Sequence, residues 1–174
     1  MKTLLLILLA LTIFSTNLKA KKLTGQARLD SLLAELPKAK GDTNEVNLLG
    51  SISYEFRSTN PDKGIEYGLK GLKLAKKINW NTGKANCYNI LGVNYWSKSD
   101  YPKVLENYNK ALKMNEELGN KSGVATNLGN IGIVYDDQSD YPKALEYYNK
   151  ALNMNEELGN KSGIATNLGG MGVV

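Results

Sequence analysis

The stretch YPKALEYYNKALNMNEELGNKSGIATNLGGMGVV, residues 141–174, repeats residues 101–134 without a gap. Only seven of the 34 aligned positions differ, and most of the differences exchange side chains of similar size. The same forty-residue step links residues 62–78 to residues 102–118 more weakly. A period of this length indicates stacked supersecondary units, each of which needs a neighbour to bury its apolar face.

The apolar residues within one unit recur at the three- and four-residue spacing of amphipathic helices. The stripe of the second half consists of Leu145, Tyr148, Ala151, Leu152 and Leu158, and that of the first half of Leu128, Ile131, Gly132 and Tyr135. Each unit is therefore predicted to be two antiparallel helices, which makes the chain all-α.

Local signals place the ends and the contact points of these helices. Asp140 is a predicted N-cap, and Pro142 falls in the first turn, where a missing N–H does no harm. Gly132 and Ala144 are small where two helices must approach closely. Because glycine in a helix costs about 1 kcal/mol relative to alanine, close packing is the expected reason for its presence.

The segment EELGNKSG occurs at residues 116–123 and again at 156–163, and it has two interpretations. A phosphate-binding loop needs glycine directly before Lys-Ser and an apolar strand upstream, whereas here asparagine intervenes and a helix precedes. NLGNIG and NLGGMG, which resemble dinucleotide loops, also lie inside helical patterns. As a helix joint, the segment offers Gly119 and Gly159 for the left-handed C′ position, with Ser122 and Ser162 to begin the next helix.

The chain resembles the tetratricopeptide repeat from about residue 43 to residue 174. In one unit the matching residues are Leu128, Ile131, Gly132, Tyr135, Tyr141, Ala144, Tyr148, Ala151 and Leu152. The unit before has Val104 where alanine is usual, and the earliest has Gly64, Gly68 and Gly71 where alanine, an aromatic residue and alanine are usual. A forty-residue unit is similar to the longer subtype found in kinesin light chains and many bacterial sensor proteins. The resemblance implies an α-α superhelix of antiparallel hairpins.

The sequence predicts a leader followed by the repeat units. We expect a leader and capping helix over residues 21–42, a degenerate unit over 43–80, and units over 81–120 and 121–160. Residues 161–174 then form the truncated first helix of a further unit. Because such a helix leaves an apolar end, self-association through it is expected.

The first twenty residues have the order of a secretory signal peptide. Lys2 precedes an eleven-residue apolar run, and a polar stretch ends at Ala20, the expected cleavage point. The rival interpretation is a membrane anchor, but a span needs about 20 apolar residues. We therefore expect a periplasmic or extracellular protein, with no membrane insertion after cleavage.

Composition excludes several classes of function. The chain has no histidine and a single cysteine, Cys87, which removes His-based catalysis, Cys–His pairs and intrachain disulfides. Cys87 is expected to be a small structural residue. The formal charge of +5 falls to +3 without residues 1–20, and its basic residues are interspersed with acids. The sequence thus predicts no catalytic residue, no cofactor, no metal and no nucleic-acid partner.

What remains is a binding surface for a protein or an extended peptide. The resemblance implies that the first helix of each unit lines a concave groove, whose residues lie off the packing stripe. These candidates are Asn86, Asn89, Val93, Trp96, Thr126, Asn130, Ile133, Asp136 and Asp137. Asparagine offers both a donor and an acceptor to a peptide backbone, and an exposed tryptophan is a common anchor. The alternative is an ordinary mixed polar surface.

Two functions remain open at this point. The first is a non-catalytic binding scaffold. The second follows from residues 27–56, ARLDSLLAELPKAKGDTNEVNLLGSISYEF, which are similar to the start of the repeat region in Bacteroidetes-type signalling proteins. That similarity implies the extracytoplasmic sensor segment of a histidine kinase or nucleotide cyclase whose catalytic part is absent.

Overall fold

The computed structural model describes residues 24–172, and all regular structure in that range is helical. The predicted signal peptide lies outside these residues. The helices are α1 (Gly25–Glu35), α2 (Thr43–Phe56), α3 (Pro61–Lys77), α4 (Asn81–Trp96), α5 (Tyr101–Glu117), α6 (Lys121–Asp137), α7 (Tyr141–Glu157) and α8 (Lys161–Met171), with a 3₁₀ turn at Leu36–Lys38. No helix within this range is long and apolar enough to cross a bilayer.

Each helix packs against the next as an antiparallel pair, and the pairs stack into a superhelix. The all-α prediction and the predicted α-α superhelix are therefore confirmed. Helices of the same kind also touch across the stack, since α2 contacts α4 and α6 contacts α8. These four helices, the first of each pair, form one side of the stack.

The helix joints from α3 onwards share one backbone geometry. A residue with positive φ occurs every twenty residues, at Asn79, Ser99, Gly119, Ser139 and Gly159. After α5, the N–H of Asn120 donates to the carbonyl of Asn115 at 2.9 Å, and the N–H of Gly119 donates to that of Glu116 at 3.0 Å. This is the Schellman arrangement, and it confirms the left-handed role predicted for the two glycines.

The helix starts confirm one prediction and contradict another. Asp140 caps α7, because its side chain accepts a bond from the N–H of Lys143 at 3.4 Å, and Pro142 lies in the first turn. The prediction that Ser122 begins the next helix is wrong, and so is the matching one for Ser162. The caps of α6 and α8 are Asn120 and Asn160.

The asparagine is a better cap here because its side chain makes two bonds at once. Asn120 Oδ1 accepts from the N–H of Gly123 at 3.1 Å, and its Nδ2 donates to Asn115 Oδ1 at 2.8 Å. A serine hydroxyl is too short to satisfy the helix start and reach a side chain of the preceding helix together. The cap thus also ties α5 to α6.

Close helix contacts lie where small residues predict them. A Cβ built on Gly132 would come within 2.7 Å of the Tyr148 ring, so the glycine lets α6 approach α7. Ala144 is fully buried in the same pair of helices. The predicted stripe fails at one residue, since Leu158 lies at the joint after α7 and is 41% exposed.

Candidate binding groove

Three cavities open on the side of the stack formed by α2, α4, α6 and α8. The first, of about 430 Å³, lies between α2 and α4 and is lined by Asn47, Ser51, Asn86 and Asn89 among others. The second, of about 330 Å³, is lined by Tyr54, Arg57, Val93, Trp96, Asn130 and Ile133 among others. The third, of about 450 Å³, is lined by Thr126, Gly129, Asn130, Ile133, Tyr148, Asn167 and Gly170 among others. We call the second the Trp96 cavity, the third the Asn167 cavity, and all three together the groove.

Most of the predicted site residues line this groove. Seven of the nine do so: Asn86, Asn89, Val93, Trp96, Thr126, Asn130 and Ile133. None of the seven is buried, so their side chains reach solvent from the groove. Asp136 and Asp137, at the end of α6, are outside the lining of the three cavities. Whether the seven bind a ligand stays a prediction.

The Trp96 cavity combines a large aromatic surface with a guanidinium. Trp96 is 44% exposed, and its Nε1 donates to Asp137 Oδ2 at 2.5 Å, which links α4 to α6. On the opposite wall, the Arg57 guanidinium lies 3.7 Å from the centre of the Tyr54 ring. A cation over an aromatic face at this distance is held in place electrostatically. The cavity therefore presents a half-exposed indole, hydrogen-bonded to Asp137, together with the guanidinium of Arg57.

A chain of asparagine side chains runs from the groove into the stack. Asn89 Oδ1 accepts from Asn127 Nδ2 at 3.2 Å and from Asn130 Nδ2 at 3.3 Å. Asn127 Oδ1 in turn accepts from Asn115 Nδ2 at 2.9 Å, and Asn115 continues to the cap residue Asn120. Because Asn127 and Asn115 are buried, these bonds replace lost hydration and fix α4, α5 and α6 relative to one another.

Sequence reasoning missed the buried members of this chain and the aromatic wall of α2. Asn115 and Asn127 recur forty residues later as Asn155 and Asn167, and that repetition is the signal that marks them. Tyr54 and Arg57 are not repeated at the forty-residue step, where Asn94 and Ser97 stand. Their part in the groove follows only from the packing of α2 beside α4.

The alternative sites in the sequence have ordinary structural roles. The residues of LGNKSG join α5 to α6. Lys121, the candidate phosphate-binding lysine, pairs with Glu157, since its Nζ lies 3.3 Å from Glu157 Oε2. Cys87 is buried at the contact of α4 with α3, and burial raises the pKa of its thiol to about 12. Such a thiol is inert at neutral pH, which agrees with the predicted structural role.

Comparison with known proteins gives a family match over part of the chain. The family model described as tetratricopeptide repeat matches residues 105–157, from within α5 to the end of α7. No curated protein matches the chain. Several solved structures do resemble it.

Aspartyl phosphate phosphatase F from Bacillus subtilis superposes with a TM-score of 0.67 at 20% identity over 72% of this chain. A Rap protein complexed with competence and sporulation factor gives 0.71 at 16% identity over 79%. A signal-transduction ATPase with numerous domains and a tetratricopeptide repeat sensor, from Pyrococcus horikoshii, gives 0.72 at 19% identity over 82%. This chain spans only 33%, 38% and 22% of those three chains. At these identities the likeness concerns the fold.

The family match and the fold agree on the repeating unit. The matched residues cover most of α5 and all of α6 and α7. Residues 105–157 therefore match the tetratricopeptide repeat in sequence, and residues 24–172 as a whole are arranged as a helical solenoid.

Proposed function

We propose that the protein is a non-catalytic scaffold that binds an extended peptide segment of a partner protein in the groove. The observation that carries this proposal is the Trp96 cavity. It holds a half-exposed indole, oriented by Asp137, at a position where α2, α4 and α6 meet. Fixed aromatic side chains in partly enclosed sites commonly dominate the binding energy of interfaces.

The groove also has the polar groups that an extended backbone needs. A peptide that is not in a sheet or helix has free N–H and C=O groups, which lose their water on binding. Asn86 offers a donor and an acceptor beside the first cavity. Asn89 adds only its Nδ2 donor there, because its Oδ1 already accepts two bonds. Asn130 offers its oxygen and its second N–H between the other two cavities. The Rap protein that was solved with competence and sporulation factor supports such binding by analogy of fold.

The test begins with peptides selected against the purified chain from a random display library. Binding of the selected peptides is then measured by fluorescence anisotropy for the original protein and for Trp96→Ala. We expect at least about ten-fold weaker binding by the variant, as for loss of an interface anchor. Tyr141→Ala is the matched control, because Tyr141 is an exposed aromatic residue outside the groove. Equal affinity of the Trp96 variant and the original would contradict the proposal.

Export is a second part of the proposal and has its own test. It is supported by residues 1–20, where one lysine precedes an apolar run too short to span a bilayer. Cell fractionation followed by N-terminal sequencing is expected to find a protein that begins at Lys21 outside the cytoplasm. A cytoplasmic protein that retains Met1 would contradict it.

The other candidate function is the sensor segment of a signal-transducing protein. It is favoured by the likeness to the signal-transduction ATPase, whose repeats form a sensor within a much longer chain. Sequencing the gene beyond codon 174 tests it. A further apolar span of about 20 residues, followed by a kinase or cyclase domain, is the expected result. A stop codon after one or two more repeats favours the free scaffold.

Self-association through α8 is proposed on the exposure of one residue. Leu168 is 52% exposed, although the equivalent Leu128 in α6 is buried. Sedimentation velocity is expected to show mass above that of a monomer, and Leu168→Lys is expected to reduce it. A monomer at all concentrations would contradict this part of the proposal.

A further inference from the structure

An apolar cavity of about 470 Å³ lies outside the groove, between α2, α3 and the 3₁₀ turn. Its lining consists of three leucines, three lysines and one glutamate, and it shares no residue with the three cavities of the groove. We call it the Leu36 cavity. Its volume falls within the range of roughly 300–1,000 Å³ that small-molecule sites have.

The walls of the Leu36 cavity are apolar. They are formed by Leu36 from the 3₁₀ turn, Leu49 from α2 and Leu74 from α3. Leu49 is buried, whereas Leu36 and Leu74 are half-buried and keep apolar surface in contact with water. Covering that surface with an apolar group is favourable.

One change between repeat units accounts for the open space. Forty residues later, the equivalents of positions 36 and 70 in the lining are Lys76 and Lys110. The ring of Tyr88 lies beside both, since their ammonium nitrogens are 6.0 Å and 5.6 Å from its centre. The equivalent of Tyr88 in the first unit is the smaller Leu48. The first hairpin therefore lacks the ring that lies beside these positions in the next unit.

The mouth of the Leu36 cavity carries positive charge. Lys70, Lys73 and Lys77 are exposed, and Glu45 is the one acid of the lining. Lys70 is already paired, because its Nζ lies 2.6 Å from Glu66 Oε1. Within residues 24–172, Lys73 and Lys77 have no ion-pair partner. Two ammonium groups are therefore available to an anion.

The helix end beside the cavity is also more basic than its counterparts. The last turn of α3 contains Lys76 and Lys77, which offset the negative end of the helix dipole. The equivalents of Lys77 at the ends of α5 and α7 are Glu117 and Glu157. An anion is thus tolerated at the end of α3 and disfavoured at the two later ends.

The lining suits an alkyl chain better than a peptide. Apart from its four charged residues, none of its side chains has a hydrogen-bonding group. A peptide backbone in the cavity would lose the hydration of its N–H and C=O groups without gaining partners. An alkyl chain has no such groups, so a ligand with an alkyl chain and one anionic end fits both the leucines and the lysines.

We propose that the Leu36 cavity binds the anion of a fatty acid. The alkyl chain packs against the three leucines, and the carboxylate accepts charge-assisted hydrogen bonds from the ammonium groups of Lys73 and Lys77. Lysine stems can lie along an apolar wall while their charged ends stay at the mouth. The inference goes beyond the proposed function, because this site lies outside the groove and needs no peptide.

A direct test uses the full-length chain with ¹³C-labelled leucine methyl groups. Decanoate, decanol and decyltrimethylammonium are added below their micelle concentrations, and Leu36→Val identifies the Leu36 signals by their loss. We expect a saturable shift of those signals with decanoate, and at least about three-fold weaker binding of the neutral and the cationic probe. Octanoate, with two fewer CH₂ groups, is expected to bind about ten-fold more weakly than decanoate. Equal binding of decanoate and the cation, or no saturable shift, would overturn the proposal.

Charge reversal locates the carboxylate. Lys73→Glu combined with Lys77→Glu is expected to weaken decanoate binding at least about ten-fold. Lys113→Glu is the matched control, because Lys113 is the exposed equivalent of Lys73 in the next unit. It is expected to change the affinity by less than about two-fold. Unchanged affinity of the double variant would show that the lysines do not hold the ligand.

Filling the cavity locates the alkyl chain. Leu48→Tyr introduces the ring that the next unit has at this position, and it is expected to abolish the decanoate shift. If this variant fails to fold by circular dichroism, the charge-reversal pair still decides.

Two further measurements separate this site from other interpretations. Trp96→Ala is expected to leave decanoate binding unchanged, so that failure of the groove and failure of this site are seen independently. If an acidic peptide shifts the Leu36 signals and decanoate does not, the occupant is a protein segment and the proposal is wrong.

Discussion

The carboxamide of Asn94 in α4 occupies the volume that a side chain at residue 64 in α3 would need. A Cβ built on Gly64 would lie 1.8 Å from Asn94 Oδ1 and 3.0 Å from the carbonyl oxygen of Ser53. Asn94 is itself fixed, because its Nδ2 donates to Ser53 Oγ at 3.2 Å and to the Ile90 carbonyl at 3.0 Å. Forty residues later the same two positions are Val104 and Val134, both fully buried in one cluster. The glycine of the earliest unit is thus explained by the asparagine opposite it.

Gly64→Ala is expected to lower the free energy of unfolding by roughly 1–3 kcal/mol, because overpacking displaces a buried hydrogen-bonded side chain. Urea denaturation followed by circular dichroism measures it. Helix propensity alone would favour alanine by about 1 kcal/mol, so the sign of the change is decisive. Gly169→Ala is the control and is expected to stabilise, since that glycine is helical with nothing within 4 Å. Adding Asn94→Val to Gly64→Ala is expected to restore stability. A Gly64→Ala variant as stable as the original would show that the contact is unimportant.

The asparagine chain is expected to stabilise the stack as well as to shape the groove. Asn89→Ala removes the acceptor of buried Asn127 Nδ2 and is expected to cost about 1–3 kcal/mol in the free energy of unfolding. Asn86→Ala is the matched control on the same helix. Its side chain is exposed, and its removal is expected to change stability by no more than about 0.5 kcal/mol. Equal effects of the two substitutions in urea denaturation would contradict the role given to Asn89.

Helix capping by asparagine is tested at the joint between α5 and α6. Asn120→Ala is expected to lower the free energy of unfolding by about 1–2 kcal/mol, because both the cap bond and the bond to Asn115 are lost. Ser122→Ala, two residues away on the exposed first turn, is expected to have an effect of no more than about 0.5 kcal/mol. A larger loss of unfolding free energy in Ser122→Ala than in Asn120→Ala would instead assign the cap to Ser122, as the sequence predicts.

Cys87 supplies a prediction about pH. Burial raises the pKa of its thiol to about 12, so alkylation by iodoacetamide at pH 8 is expected only when urea unfolds the chain. The unfolded thiol titrates near pH 8.5, below the folded one. Its contribution to stability is therefore complete below about pH 8.5 and is lost as the pH rises from there towards the folded value. The difference in stability between the original and Cys87→Ala isolates this effect from other titrating groups. Rapid alkylation of the folded protein would contradict the burial of the thiol.

The all-α superhelix could be predicted from the sequence because the chain repeats and because its glycines lie at helix joints and close helix contacts. The forty-residue period and the helical stripes depend on contacts between neighbouring units, and those contacts recur with the same residues. The left-handed conformation of Gly119 is predictable because glycine adopts it without strain. The groove candidates depend on the resemblance to the tetratricopeptide repeat, which implies that the first helix of each unit lines a concave surface, and seven of the nine line the three cavities.

The features that the sequence did not reveal depend on side chains from several helices. Asn120 and Ser122 are both good capping types, and only the position of Asn115 across the joint decides between them. Asn127 looks like a surface residue by type, and its burial follows from partners 38 residues earlier and 12 residues earlier. Leu158 keeps the helical spacing of the stripe, yet the helix ends at Glu157 and its side chain turns outward. These three features can be predicted only when the relative positions of the stacked helices are known.

The left-handed residue at every twentieth position from Asn79 to Gly159 has a consequence for the evolution of the protein. Because residues 101–134 and 141–174 are almost the same, recombination between their coding sequences would insert or remove one complete hairpin. The joint between an inserted hairpin and its neighbour would have the same left-handed residue as the existing joints. The insertion would therefore need no new turn sequence. Under the proposed function, the length of peptide that the groove can hold would then depend on the number of hairpins.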